Sequence, residues 1–423
     1  MTILATIINI STQSLINRRL TVLLTVFAIA VSVMLVLGVE KVRQDAKLSF
    51  ANTISGTDLI VGARSGSIQL LLYSVFRIGN ATNNISWRSY QAIAARNDVK
   101  WTIPISLGDS HHGFRVMGTS NSYFKHYQYG QNSLLRFRDG KPFIEVFETV
   151  LGAEVARKLG YKIGDKIVIA HGLGAAGFTK HDDKPFTVSG ILEHTGTPVD
   201  RTVHVSVEGI TAIHVDWKNG ARVPGMSMDA KSVRKMDLTP RSITAFMVGL
   251  NSRLNAFRAL REINNFQSEP LLAILPGVAL HELWRLMGTA ETALALIAIL
   301  VVASGLLGML TMMLASLNER RREMAILRAI GARPIHIVAM FLIEALIIAS
   351  LGCFLGLLLL YAAMAILQPV LEAQLGLFIP IDALQLREWL ILSLVMASAA
   401  IASIIPAVFA YRHNLADGIT VRI

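Results

Sequence analysis

Four long apolar runs constrain this chain more than any other feature. A helix that crosses a bilayer needs about 20 mostly apolar residues, and each run supplies them. The first extends from about Leu20 to Val39, with no charge between Arg19 and Glu40. The second extends from about Gly288 to Leu317 and carries only Glu291, near its start. The third, from about Ile335 to Leu367, contains Glu344, and the fourth, from about Trp389 to Tyr411, is uncharged. The first run is too long for a signal peptide and lacks a clean small-residue cleavage site after Val39, so it reads as an uncleaved helix. Composition agrees: 53% hydrophobic and 16% charged residues is too apolar for an ordinary soluble enzyme, where about 25% are charged. It is also too polar for a chain lying wholly in a membrane, and it excludes disorder and collagen-like repeats.

Orientation follows from Lys and Arg in the short loops. The loop between the second and third runs holds Arg320, Arg321, Arg322, Arg328 and Arg333, which marks it as cytoplasmic. The loop between the third and fourth holds Glu372, Asp382 and Glu388 against a lone Arg387, which places it outside. Arg18 and Arg19 precede the first run and Arg412 follows the fourth, so both termini are expected inside. The segment between the first two runs then lies on the far side. The expected fold is an α+β integral membrane protein, with one helix, a large mixed α/β exported domain, then three helices.

The boundaries follow: 1–40 for the N-terminal segment and first helix, 41–285 for the exported domain, 286–317 for the second helix, 318–334 for the cytoplasmic loop, 335–367 for the third helix, 368–388 for an outer loop, and 389–423 for the last helix and tail. Residues 41–285 are long enough to bury a core of their own. Lys41 to Phe50 reads as a continuation of the first helix. Short β-type runs at 58–61, 100–103, 114–117, 166–169, 186–189 and 202–207 are punctuated by Gly, Asn and Asp. Helical patterns appear at 86–95, 154–159, 207–216 and 254–266, the last with Leu254, Phe257, Leu260 and Ile263 at helical spacing. In the stretch 151–169 a short amphipathic helix ends at Gly160, a Gly164-Asp165 turn follows, and then a strand.

Several chemistries are absent from the sequence. Gly-x-x-x-x-Gly-Lys-[Ser/Thr], Gly-x-Ser-x-Gly and His-Glu-x-x-His do not occur. His281-Glu282 lacks the second histidine and reads as an interfacial helix face. The lone Cys353 rules out an intramolecular disulfide and a multi-cysteine metal site. Energy from ATP must therefore come from a partner.

The cytoplasmic loop is the most specific segment. Asn318-Glu-Arg-Arg-Arg-Glu-Met-Ala-Ile-Leu-Arg-Ala-Ile-Gly-Ala332 opens with charge, then places Met324, Ile326, Leu327 and Ile330 on one face of a short helix that Gly331 stops. A helix of this kind suits a groove on a soluble partner; a topogenic Arg cluster with a snorkelling helix is the alternative. The segment resembles the coupling-helix signature of the MacB/FtsX/LolC-type (type VII, mechanotransmission) ABC transporter permeases. Leu15–Val39 looks like the entry helix of that family, and Leu151–Ile169 resembles the helix-turn-strand of its MacB-like periplasmic core domain. Ile405 to Ile419 is similar to its closing Pro-Ala…Ala-x-Arg…Ala pattern.

The resemblance implies a non-catalytic permease subunit in a bacterial inner membrane, with the large domain periplasmic. The expected partners are a cytoplasmic ABC ATPase on a separate chain, a second permease copy or paralogue, membrane lipids, and a periplasmic adaptor or lipoprotein; nucleic acid is not expected. Glu319, Arg320, Arg321, Arg322, Glu323, Met324, Ile326, Leu327, Arg328 and Gly331 would form the ATPase-coupling element. ATP and Mg²⁺ would act only through the partner, with no cofactor held by this chain. The substrate would be a lipoprotein, lipid or small molecule. Two alternatives stand beside transport: an FtsX-like scaffold that activates a periplasmic partner, and a metal-homeostasis system.

The last alternative rests on histidine. Nine of the eleven histidines fall in 41–285, and imidazole with carboxylate is what Zn²⁺ prefers. His171, His181, His194 and His204 are the candidate ligands, although their spacing is irregular and scattered histidines remain the plainer reading. Glu344 is a candidate intramembrane coupling residue, with a structural ion pair as the alternative. Gly172 to Gly177 reads as a flexible loop. Leu70–Tyr73 with Val75 and Phe76 reads either as an apolar loop lining a groove or as core packing. Residues 41–285 hold 30 Lys and Arg against 20 Asp and Glu, so nearly all of the net charge of +11 belongs to the exported domain. That favours contact with anionic lipid or an acidic partner.

Overall fold

The computed structural model describes residues 3–172, 181–218, 221–222, 228–329, 332–375 and 382–412. The chain divides into two compact units: residues 1–46, 288–373 and 379–423 form one, and residues 47–287 with 374–378 form the other.

Among the described residues, four helices are long and apolar enough to cross a membrane. They lie within Arg19–Thr53, Pro276–Ala329, Pro334–Leu375 and Leu386–Arg412. The strand-rich unit falls between the first and second in the sequence. Residues 318–329 continue the Pro276–Ala329 helix without a break, so the Arg-rich segment forms its last turns rather than a separate short helix. A fifth helix, Ile3–Asn17, precedes the first long one.

The helical unit is built on close approach. In lipid the hydrophobic effect does not drive helices together, so packing depends on small residues that let backbones meet. Gly352 and Gly356, one turn apart on the third long helix, serve this role. A Cβ at Gly352 would lie 2.5 Å from Ile29 Cγ2, and one at Gly356 would lie 2.8 Å from the Ala30 carbonyl oxygen. Ile29, Val33 and Leu37 of the first long helix thereby pack with Phe341, Ala345, Ile348 and Ala349 of the third and with Val395 and Ala399 of the fourth. Ser32 Oγ donates to the Val301 carbonyl at 3.0 Å, linking the first and second. At the other end of the first helix, Arg43 pairs with Glu40 at 2.8 Å and Glu291 at 3.6 Å, and Arg387 reaches Glu40 at 3.6 Å.

The second unit is organised by one sheet that has eleven strands among the described residues. Nine of them run in order from Leu271–Ile274 through Leu59–Ala63, Ala245–Leu250, Val99–His111, Phe114–Thr119, Thr202–Ser206, Glu148–Leu151 and Phe186–Leu192 to Phe137–Gly140, while Ala170–His171 pairs with Val99–His111 and Lys166–Ile167 with Phe186–Leu192 off this path. The sheet is mixed, with Thr202–Ser206 parallel to Phe114–Thr119 and Phe186–Leu192 parallel to Glu148–Leu151.

Val99–His111 is the hinge of the topology. Ile105 sits opposite Ala245 on one neighbour, Ser106 sits opposite Gly118 on the other, and the register shifts between Leu107 and Ser110. Gly108, at φ 155°, occupies this irregularity, a conformation that favours glycine. Side chains alternate between two cores. Ile60 and Met247 enter one, with Leu70, Leu71, Tyr73, Val75 and Phe76. Leu59, Val61, Phe246 and Val248 enter another, beneath Ala259 and Ile263 of the Ala256–Asn264 helix. The Leu70–Phe76 segment is therefore core, not a groove lining: it folds as Ser67–Leu71 followed by a π-helical turn, Leu72–Phe76. A third core gathers Val116, Leu151, Val155, Phe186, Val203 and Ile213.

The 151–169 stretch folds as its sequence requires. The helix Ala153–Leu159 ends at Gly160, φ 72°, and Asp165 Oδ2 accepts from the Lys162 N–H at 2.8 Å before the strand Lys166–Ile167.

Candidate functional site

The strand-bearing unit gathers one carboxylate and three imidazoles. Asp109 and His171 are direct partners in an antiparallel pair, because the short strand Ala170–His171 lies against the far end of Val99–His111. Directly opposed residues point to the same face of a sheet, so register alone brings the two side chains together. His171 Nδ1 lies 3.1 Å from Asp109 Oδ1.

His214 arrives from a helix. Ser206 ends the strand Thr202–Ser206 and caps the helix Val207–Ile213, its Oγ accepting from the Gly209 N–H at 2.9 Å. His214 follows that helix directly. Its Nδ1 is 2.8 Å from the Ile210 carbonyl, which can only accept, so Nδ1 carries the proton and Nε2 offers a lone pair. That Nε2 lies 3.2 Å from His171 Nδ1 and 3.6 Å from Asp109 Oδ1.

His181 completes the group. Its N–H donates to the Ile169 carbonyl at 3.0 Å. Its ring is fully buried, 4.4 Å from Trp217 and 5.1 Å from His214 between centroids. The ligand atoms of Asp109, His171, His181 and His214 all lie within 4.8 Å of one another. Among the described residues, neither ring nitrogen of His181 has a hydrogen-bond partner, an arrangement that costs about 1–3 kcal/mol for each unsatisfied group.

The electrostatics act in opposite directions on His181 and His171. Burial, with His214 alongside, pushes His181 down to about 4, so its imidazole is neutral at neutral pH. The hydrogen bond to Asp109 raises His171 against the opposing effect of burial. Beneath them Lys184 Nζ, fully buried, lies 2.8 Å from Asp216 Oδ1 and 3.1 Å from Asp183 Oδ2. Burial opposes ionisation of Asp216, but the hydrogen bond from Lys184 and backbone N–H groups outweigh it, and the carboxyl is held below its usual range.

Of the four histidines singled out from the sequence, His171 and His181 belong to this group. The other two do not. His194 Nδ1 pairs with Asp200 Oδ2 at 2.8 Å. His204 is fully buried in a strand, with Nδ1 3.2 Å from the Val150 carbonyl and its ring beside Tyr123. Sequence reading missed Asp109 and His214. The signal was weak: 62 residues separate Asp109 from His171, and 43 separate His171 from His214. No local spacing rule links them. Gly172 ends the described part of the Gly-rich stretch, and Leu173 to Gly177 lie outside the described residues.

In the helical unit, Glu344 is buried one turn beyond Phe341 on the third long helix. For the coupling segment, only the Ile326 side chain is described, and it is exposed. The side chains of Glu319, Arg320, Arg321, Arg322, Glu323, Met324, Leu327 and Arg328 lie outside those described, and Gly331 lies outside the described residues.

Comparison with known proteins gives the group its context. Residues 22–252, more than half of the chain, match the MacB-like periplasmic core domain, and residues 295–415 match the FtsX-like permease C-terminal family. The macrolide export ATP-binding/permease protein MacB of Wolinella succinogenes is 24% identical over 270 residues, 62% of this chain and 38% of that protein. The pyoverdine export ATP-binding/permease protein PvdT of Pseudomonas savastanoi pv. phaseolicola is 26% identical over 222 residues, 52% of this chain and 31% of that protein. The MacB of Campylobacter jejuni is 41% identical over 71 residues, 17% of this chain and 11% of that protein. The chain thus spans well under half the length of these curated relatives. None of the three is named for metal handling, so they lend the metal-homeostasis reading no support. The periplasmic region of MacB from Actinobacillus actinomycetemcomitans covers 55% of this chain and 94% of its own at 9% identity, with a TM-score of 0.33. On the two family matches, the chain belongs to the MacB/FtsX-type ABC transporter permeases.

Proposed function

We propose that this chain is the permease subunit of a mechanotransmission ABC transporter. Its helices cross a bacterial inner membrane in a one-plus-three arrangement, with both termini in the cytoplasm and the strand-bearing unit in the periplasm. Two such chains, or this chain and a paralogue, pair around cytoplasmic ABC ATPase units. ATP hydrolysis there drives a change in the periplasmic units that moves a substrate. Two relatives are named for exporting macrolides and pyoverdine, which supports a small molecule as the first substrate class to test.

The observation that carries this reading is the Pro276–Ala329 helix. It holds the Arg-rich segment 319–329 as its end, continuous with an apolar stretch of membrane-crossing length. A docking element with this placement transmits displacement along a helix axis instead of through a flexible joint.

The test is co-purification with the cognate ATPase. Arg321→Glu with Arg328→Glu reverses charge in the docking segment and is expected to abolish ATPase recovery, while the unaltered chain retains it. Failure of the unaltered chain to bind any ABC ATPase overturns the assignment. Binding with ATP hydrolysis but no substrate movement redirects it to an FtsX-like scaffold.

A further inference from the structure

We propose that Asp109, His171, His181 and His214 form a zinc site inside the strand-bearing unit. The geometry is the first argument. Tetrahedral Zn²⁺ with N and O ligands at about 2.0–2.2 Å requires ligand atoms about 3.3–3.5 Å apart. The three pairs among Asp109 Oδ1, His171 Nδ1 and His214 Nε2 stand at 3.1, 3.2 and 3.6 Å. One face of the tetrahedron is therefore in place. His181 supplies the fourth vertex, since every donor atom lies within 4.8 Å of the others. Closing that separation takes a shift of about 1 Å, within reach of a modest side-chain rotation.

The chemistry of the donors is the second argument. Three imidazoles and one carboxylate match the borderline softness of Zn²⁺, and no thiolate is needed. Zinc-ligating histidines characteristically donate their other ring N–H to a carbonyl or carboxylate, which fixes the tautomer. His214 does so, through Nδ1 to the Ile210 carbonyl at 2.8 Å.

His181 differs from its neighbours in the group. A hydrogen bond to Asp109 accounts for His171, and the Ile210 carbonyl accounts for His214, but nothing among the described residues accounts for His181. Its ring is fully buried, and neither nitrogen meets a hydrogen-bond partner among the described residues. Buried polar groups in native proteins are paired, and a bound cation is the partner that the adjacent donors would hold. The site is also framed to keep its shape: Trp217 lies against the His181 ring, and the buried Lys184–Asp216 pair anchors the turn that follows it. A resident ion here ties the Ala170–His171 edge strand and the His181 turn to the central strand and the Val207–Ile213 helix. It is a bound ion, distinct from cargo, and the site stands whether or not the chain is a permease.

The test uses the full chain, purified in detergent and stripped with a chelator. Zinc is returned in competition with a chromogenic chelator, and bound metal is counted by mass spectrometry. The unaltered chain is expected to hold one zinc, as is the control His194→Ala, whose imidazole lies outside the group. His181→Ala and His171→Ala are each expected to weaken binding by at least about 100-fold. His171 is exposed, so its removal leaves the core packing in place and guards against a variant that merely misfolds. Co²⁺ in place of zinc is expected to give the intense visible absorption of a tetrahedral site in the unaltered chain and to lose it in both variants. An unaltered chain that retains no stoichiometric zinc overturns the proposal. So does binding that survives both substitutions, which would mark it as adventitious capture by surface histidines.

Discussion

At the scale of single residues, the histidines separate by what surrounds them, and that separation has a measurable consequence at His204. Burial, with the Arg77 guanidinium nearby, pushes His204 down to about 3, against the small upward effect of its hydrogen bond to the Val150 carbonyl. In the unfolded chain it titrates near 6.5. Below that value the unfolded state takes up a proton that the folded state refuses, so stability present above about pH 6.5 is lost as pH falls towards 3. The slope for one proton is about 1.4 kcal/mol per pH unit. His204→Met keeps the volume between Tyr123 and Phe124 and removes the titration. It is expected to flatten the acid limb of thermal midpoint against pH by up to one proton. An acid limb of unchanged steepness would show that other groups govern it. The same residue shows why the sequence spoke only in part. The alternation Val203-His204-Val205 fixes which face of the strand His204 occupies, and it does so correctly. It cannot say that the face is sealed by Tyr123 and Phe124, which arrive from a helix some eighty residues earlier in the chain.

At the scale of elements, local rules served where the signal was local. The helix at Trp87–Ala94 begins on Ser86, whose side chain accepts from the Ser89 N–H, and the helix Ala153–Leu159 ends on a left-handed glycine. The strand Ala245–Leu250 escaped, because a strand covered on both faces shows no alternation and reads as an undifferentiated apolar run. The meeting of the first and third long helices escaped for another reason. Hydropathy finds spans, while Gly352-x-x-x-Gly356 determines which spans touch. Two glycine substitutions separate these roles. Gly352→Ala places a methyl against Ile29 at 2.5–2.8 Å and is expected to destabilise the helical unit by about 1–3 kcal/mol, an overpacking cost. Gly308→Ala meets nothing within 4 Å on the second long helix and is expected to be neutral or to stabilise by up to about 1 kcal/mol, the gain in helix propensity. Thermal denaturation in detergent reads both. Equal effects would mean that the glycine contact does not hold the first and third helices together. In the strand-bearing unit, Ser206→Ala removes the cap of the helix that presents His214 and is expected to lower the midpoint by the equivalent of about 1 kcal/mol. Restoration by Ser206→Thr or Ser206→Asp would confirm capping as the cause.

At the scale of the whole molecule, the transporter reading depends on how displacement passes along the chain. The helix Pro276–Ala329 contributes residues 276–287 to the strand-bearing unit and residues 288–329 to the helical one. Gly288 stands at that division, and a Cβ there would meet nothing within 4 Å, so a substitution acts on the backbone and not on packing. Gly288→Pro removes an N–H from the helical ladder and sets its ring against the carbonyl of residue 284, kinking or breaking the helix at a local cost of about 3 kcal/mol. Gly288→Ala keeps the helix and supplies the control. If the continuous helix carries the stroke, the proline variant is expected to bind the ATPase and support its ATP hydrolysis like the unaltered chain. It would, however, lose the ATP-dependent change reported by a fluorophore placed on the strand-bearing unit, whereas the alanine variant keeps it. The outcome turns on direction as well as loss. A proline variant that retains the nucleotide-dependent signal would shift the transmitting role to the Arg19–Thr53 helix, whose residues 19–46 and 47–53 are likewise divided between the two units. A kink in that helix, short of Thr53 and beyond the Ile29–Val33 contact, would then become the decisive variant.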